Sequence, residues 1–531
     1  MWTATTAQAA PDDTNASTSA GPSTSSDDSE SKASASSDSE SRSTTKSTRA
    51  AKNSKESDDS DDSDAADRDK DSESVADSEV DDTDVDDTEV DDDGDEAGPG
   101  TVPASTRANS AETLVTLDVD DDEEDDVDAP ADTDTVDLAL EQITDAREDL
   151  KEATWDSGNF LAGLASLLPQ MWLGGAHASL ERWQLNHSLL QQQYADTAEN
   201  TFAHWIAGQR IEASIQRTIR VQDQLEAAEK FLPVVGLFGP RAEMAAIAEL
   251  INQASDNGLV YQILDVYMED SNGIPRVNPI IKLSINGGDY VNVLLDTGSY
   301  GLIINPQVIG LENLGPIVGH GEGCYADCST PYEYDVYKIP VSVDEDVDST
   351  PTRIQVVTLN TWYALSETNS DYEGILGIGP NSGGPGTSNP LAGLPGLLGN
   401  GILMDPRRNR AILGPNPYAA RVTLDGAPIN TLRVKIGDYD EQVIETWIDS
   451  GGLNGTIAGS LVDGATSLPN GTLITVYTED GDKLFSYRTS GKDTPAIDQD
   501  AENAILGSTP FAVTPIYTDF TNGGRLVFNY A

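Results

Sequence analysis

The chain has 531 residues, with 92 acidic and 31 basic side chains and a formal net charge of −61. That charge disfavours nucleic acid and anionic membrane surfaces as partners. Two cysteines exclude a disulfide scaffold, and no run reaches the roughly 18 apolar residues needed to span a bilayer.

The acidity is concentrated at the front. Residues 1–140 hold 43 Asp and Glu against 9 Lys and Arg. The first ten residues end in small side chains like a signal-peptidase site, although the basic and apolar regions of a signal peptide are missing. Two readings follow: a true start further upstream in an exported precursor, or an ordinary chain tip. Residues 1–137 are Ser, Asp, Thr, Ala and Glu with hardly an aromatic, a composition that cannot bury enough apolar surface to offset backbone entropy. This stretch is expected to be a disordered, self-repelling arm.

From 138 to 255 the pattern becomes helical. Ile211, Ile215 and Ile219 recur at helical spacing with Leu225 continuing the stripe, and Leu185, Leu189 and Leu190 begin another. Gly236 and Pro240 precede a shorter helix around Arg241–Ala254. His177, His187 and His204 are scattered and read as surface or core histidines, not ligands. This segment is a spacer, a partner-docking hairpin or a pro-region laid over a cleft, with the first two preferred. Trp172-Leu173-Gly174, placed between helical stretches, resembles a feature of type VII secretion substrates.

From Leu259 onward short β runs and turns take over, and they repeat. Ile280–Ile285 leads through Asn286-Gly287-Gly288-Asp289 into Tyr290–Leu295 and then Asp296-Thr297-Gly298. Leu432–Ile436 leads through Gly437-Asp438-Tyr439-Asp440 into Gln442–Ile448 and then Asp449-Ser450-Gly451. Each copy is followed later by Ile-Leu-Gly, at 375–377 and 505–507. The duplication predicts two similar β lobes, 256–405 and 406–531, with a cleft between them. Two carboxylates on matching strand-end loops can share one proton, the requirement for hydrolysis by activated water without metal or covalent nucleophile.

Asp296-Thr297-Gly298-Ser299, Asp371 to Gly377, Asp449-Ser450-Gly451 and Ile505-Leu506-Gly507, in that order, resemble the signatures of the pepsin-type, bilobal aspartic proteases. The second triplet and the low-complexity front are similar to the mycobacterial type that trims PE-family proteins. The resemblance implies a mainly β, bilobal catalytic domain with Asp296 and Asp449 as the catalytic pair. Thr297, Gly298, Ser299, Ser450 and Gly451 would support the two loops. It further implies protein or peptide substrates, mycobacterial cell-envelope partners among them, no metal or organic cofactor, a monomer, and a secreted or cell-surface location. Two carboxyls held close together cannot both ionise, a known property of this family.

Two departures stand out. Ser299 follows the first triplet, whereas Gly452 follows the second and offers no hydroxyl. The family closes its cleft with a tyrosine-bearing hairpin; here that interval holds Cys324, Tyr325 and Cys328, then Tyr332, Tyr334 and Tyr337. Tyr325 is the flap candidate. Cys324 and Cys328 are either one small disulfide or two free thiols, and a zinc site there would have only His320 close by. A Ser450 nucleophile of the trypsin kind lacks the flanking residues that motif needs. A non-catalytic binding module of the same fold is the rival from another class.

Overall fold

A computed structural model describes residues 134–531 apart from 272–273, 326–329, 346, 367–371, 385, 387, 492–493, 522 and 531. Four helices come first: α1, Asp134–Lys151; α2, Phe160–Ala195; α3, Phe202–Gly236; and α4, Arg241–Asn257. Asn159 caps α2 by accepting the Ala162 amide, and Thr201 caps α3 by accepting that of His204. Trp172-Leu173-Gly174 is not between helical stretches: it lies within the continuous α2. Its glycines serve packing, since a Cβ at Gly175 would stand 3.0 Å from the Gln224 side chain. His187 lies beside Trp183 and Tyr261, and burial lowers its pKa to about 4. His204 packs on the Tyr194 ring at 4.1 Å between centroids.

Everything after α4 is mainly β. One sheet of six strands runs in the order 262–265, 410–413, 401–405, 516–519, 525–529, 420–425, with every neighbouring pair antiparallel. A larger sheet is built from residues 267–378, and a seven-stranded sheet from residues 429–505. The repeat read in the sequence appears as matched hairpins. Strand 274–285 pairs antiparallel with 291–296, and 429–436 with 442–447. Each second strand then pairs in parallel with its Ile-Leu-Gly strand, Leu295 beside Leu376 and Trp447 beside Ile505.

The six-stranded sheet is buried on both faces, which explains its uninterrupted apolar runs. Side chains alternate across a strand. Ile402, Met404, Ala411, Leu413, Ile516, Leu526 and Phe528 join the core of the β lobes. Their neighbours Leu403, Ile412, Tyr517 and Val527 point the other way, into a core shared with Leu180, Trp183, Ile211 and Leu225 of the helices. The helices therefore cover the outer face of this sheet, and neither triplet loop belongs to the core they share.

An ion-paired cluster ties α3 to the sheet. Arg410 donates to both oxygens of Glu212, at 2.8 and 2.5 Å, and the Tyr418 hydroxyl donates to Glu212 at 2.8 Å. Burial opposes charge on Glu212, yet the bonds from Arg410 outweigh it and hold the carboxyl below its ordinary value of 4.5. The Arg410 side chain is only 13% exposed, so losing its partner leaves a charge poorly compensated. Glu212→Gln is expected to cost about 2 kcal/mol at neutral pH, reduced from the fully buried case by Glu212's partial exposure. A depressed carboxyl stabilises above its unfolded pKa and loses that contribution as pH falls through the folded value. The cost should therefore shrink in urea titrations below pH 4.5.

Candidate active site

Asp296 closes the strand Val291–Asp296, and Asp449 stands two residues beyond the strand Gln442–Trp447. Both are buried, as are Thr297 and Ser450 behind them. The two loops meet through four crossed hydrogen bonds. The Thr297 amide donates to Ser450 Oγ at 2.9 Å, and the Ser450 amide donates to Thr297 Oγ1 at 2.9 Å. Each hydroxyl then donates to a backbone carbonyl of the opposite strand, Thr297 to Ile448 at 2.7 Å and Ser450 to Leu295 at 2.8 Å. Every hydroxyl is thus both donor and acceptor, and the two loops are locked with two-fold symmetry.

That lock presents the carboxyls to each other. The Gly298 amide donates to Asp296 Oδ1 at 2.8 Å, and the Gly451 amide to Asp449 Oδ1 at 2.9 Å. A Cβ on Gly298 would stand 2.5 Å from the Asp449 carboxyl carbon, and one on Gly451 would stand 2.6 Å from Asp296 Oδ1. Each glycine is therefore the space occupied by the opposite aspartate. The Ile-Leu-Gly strands close the floor. Gly377 pairs with Asp296, and a Cβ there would sit 2.4 Å from the Tyr300 amide nitrogen.

The two acids are not equivalent. Asp296 Oδ2 accepts the Ser299 hydroxyl at 2.5 Å. At Gly452 no side chain fits, because a Cβ would lie 2.6 Å from Asp449 Oδ2. Complete burial, then the charge of Asp296 and the hydrogen bond shared with it, hold the Asp449 proton far above the ordinary carboxyl range, although the Gly451 and Gly452 amides pull the other way. The site thus pairs an Asp296 carboxyl that accepts from the Ser299 hydroxyl and the Gly298 amide with an Asp449 carboxyl that retains its proton.

Of the flap candidates, Tyr325 ends the first strand of a hairpin, Gly319–Tyr325 with Thr330–Ile339, and faces Thr330 in register. Its side chain, and Cys328 and Asp371, lie outside the described residues. Cys324 is disulfide-bonded. Tyr332, further along the hairpin, is buried with Ile303, Trp362 and Ile375. Sequence reasoning missed Tyr372, a member of the same small core. It is buried two residues before Gly374, and burial followed by the charge of Asp296 raises its pKa. The parallel pairing of 374–377 with 293–296 places the segment just after Tyr372 beside the strand that ends in Asp296; the signal was its place at the head of the Gly-Ile-Leu-Gly strand.

Residues 266–526 match the family model described as the PE-PGRS C-terminal aspartyl peptidase-like domain. This segment is similar to that aspartyl peptidase-like domain. PE cleavage protein A of Mycobacterium tuberculosis is 34% identical over 278 residues, covering 46% of this chain and 48% of that protein. The same-named protein of Mycobacterium marinum is 32% identical over 273 residues, 46% and 49% of the two chains. The chain spans about half the length of the curated relatives it matches. An aspartic proteinase from Irpex lacteus matches 51% of this chain and 98% of its own, at 12% identity and a TM-score of 0.36.

Within the peptidase-like domain the crossed loop bonds carry a clear cost when broken. Ser450→Ala leaves the buried Thr297 amide and the Leu295 carbonyl each short of a partner. The expected loss is about 2 kcal/mol, from a few tenths for an exposed serine to several for two buried orphans. Urea denaturation at fixed pH, against an exposed Ser→Ala control, measures it.

Proposed function

We propose that this protein is an aspartic endopeptidase that hydrolyses peptide bonds with water activated between Asp296 and Asp449, and that its substrates include PE-family proteins. The observation carrying the proposal is the locked pair of buried carboxyls, each supported by the glycine amide of its own loop. One acid bearing a proton beside one that does not is the state needed for both halves of the chemistry. The ionised member of the Asp296–Asp449 pair takes a proton from the attacking water, and the protonated member donates to the carbonyl oxygen of the scissile bond. The substrate assignment rests on the relatives named for PE cleavage and on the domain they share with this chain. A secreted or cell-surface location is part of the proposal. The disulfide at Cys324 supports it, since such bonds persist in oxidising compartments.

Asp296→Asn and Asp449→Asn are each expected to lower kcat by at least about a hundredfold on purified PE-family proteins and a mixed peptide library. Circular dichroism checks that the fold persists. Cleavage that survives either change refutes the shared dyad, and no cleavage by the unaltered protein favours a binding module.

Asp449 adds a signature in stability. It holds its proton more tightly folded than unfolded, so the folded state binds the extra proton. Stability from this group is full below its unfolded pKa and falls as pH rises above 3.8 toward the raised value. Asp449→Asn should flatten that decline, and stability curves of both proteins from pH 3 to 7 read it directly.

A further inference from the structure

Away from the dyad, α2 and α3 enclose a groove of about 470 Å³ along their outer seam. Three arginines line it: Arg182 from α2, and Arg210 and Arg217 from α3. Among the described residues that line the groove, none is acidic; the rest are amides, one serine and apolar side chains, chiefly Leu189, Leu190 and Ile206. In a chain with three acids for each base, a groove lined by three arginines and no acid departs from the average composition. Arg210 is steadied by donating to Gln193 Oε1 at 3.1 Å. The ion pairs described for this protein draw on Lys151, His177, Lys230, Arg408, Arg410, Arg433 and Arg525, and on none of these three.

The spacing selects among anions. Residues 182 and 190 on α2 are eight apart, about 12 Å along a helix at 1.5 Å per residue. The antiparallel run of α3 places Arg217 toward the Arg182 end and Arg210 toward the Leu190 end. Arg182 and Arg217 toward one end and Arg210 toward the other suit a ligand of matching length with two negative groups, while Leu189, Leu190 and Ile206 offer an apolar contact at the Arg210 end. Phosphate or a lone carboxylate would engage one end only. The rim extends the apolar character: Leu185 and Leu189 are 70% and 49% exposed, and Phe202 stacks on Trp205, both largely exposed, one turn before Ile206.

We propose that this groove is a docking site for an acidic peptide segment of another protein, bearing two carboxylates and adjoining apolar residues. The chain's net charge repels acidic partners at a distance, but charges beyond about 8 Å are screened at physiological ionic strength. At contact the three guanidinium groups dominate, and each can bind a carboxylate in bidentate fashion. The proposal stands apart from the peptidase reading, since it requires binding and no cleavage.

The test uses the full chain carrying Asp296→Asn and a fluorescein-labelled peptide in which two glutamates flank a leucine-rich core. Anisotropy should show saturable binding, weakened about tenfold by Arg182→Gln with Arg217→Gln, again about tenfold by Arg210→Gln, and less than twofold by Arg353→Gln in the β domain. The same peptide with glutamine for glutamate should bind at least tenfold more weakly. No saturable binding, equal binding of the glutamine peptide, insensitivity to the groove arginines, or displacement by millimolar phosphate would each overturn it. The altered arginines are at the surface, so circular dichroism should be unchanged.

Discussion

The crossed hydrogen bonds between Thr297 and Ser450 are the constraint on which the rest of the site depends. Two β lobes can pack in many ways, but the amide and hydroxyl of each loop find partners only when the opposite loop is in register. In a fully buried setting each unmade bond costs more than a typical made one contributes, so the alternatives are removed by penalty as much as by attraction. Once the register is set, Gly298 and Gly451 leave room for the opposing carboxyl and for nothing larger.

From that arrangement the difference between the two acids follows. The loops share a backbone plan, yet one is followed by Ser299 and the other by Gly452. Asp296 gains a hydroxyl donor, whereas Asp449 relies on backbone amides and on the hydrogen bond it shares with Asp296. Local symmetry of the chain path thus coexists with chemical asymmetry, and proton sharing depends on the asymmetry.

The helices and the β lobes are joined by a sheet that serves two cores. Strands 401–405, 410–413 and 516–519 send alternate side chains to the lobes and to α2 and α3. The Glu212–Arg410–Tyr418 cluster ties α3 to strand 410–413 and the segment after it. Breaks in one core are therefore felt through a layer one strand thick. Between α2 and α3 the arginine groove is open to solvent.

By itself the sequence determined the β duplication, the two triplets and their partner Ile-Leu-Gly strands, because each is local: a period of two, a tight turn, a glycine where a side chain would clash. It also placed helices between the acidic arm and the β region, from the 3.6-residue recurrence of Ile211, Ile215 and Ile219. It misplaced Trp172-Leu173-Gly174 between helical stretches, since small residues that let helices approach look the same as residues that end them. Tertiary structure alone decided the rest. Tyr372 feels the charge of Asp296 only through parallel pairing of strands some eighty residues apart, and a side chain at Gly452 would have to displace Asp449 Oδ2, which lies 2.6 Å from where its Cβ would be. The uninterrupted apolar runs at 401–404 and 411–413 gave no hint of which residue serves which core; that required a second layer packed against the sheet's other face. These are contacts between distant segments, and a distance that folding creates leaves no period or spacing in the chain to be read.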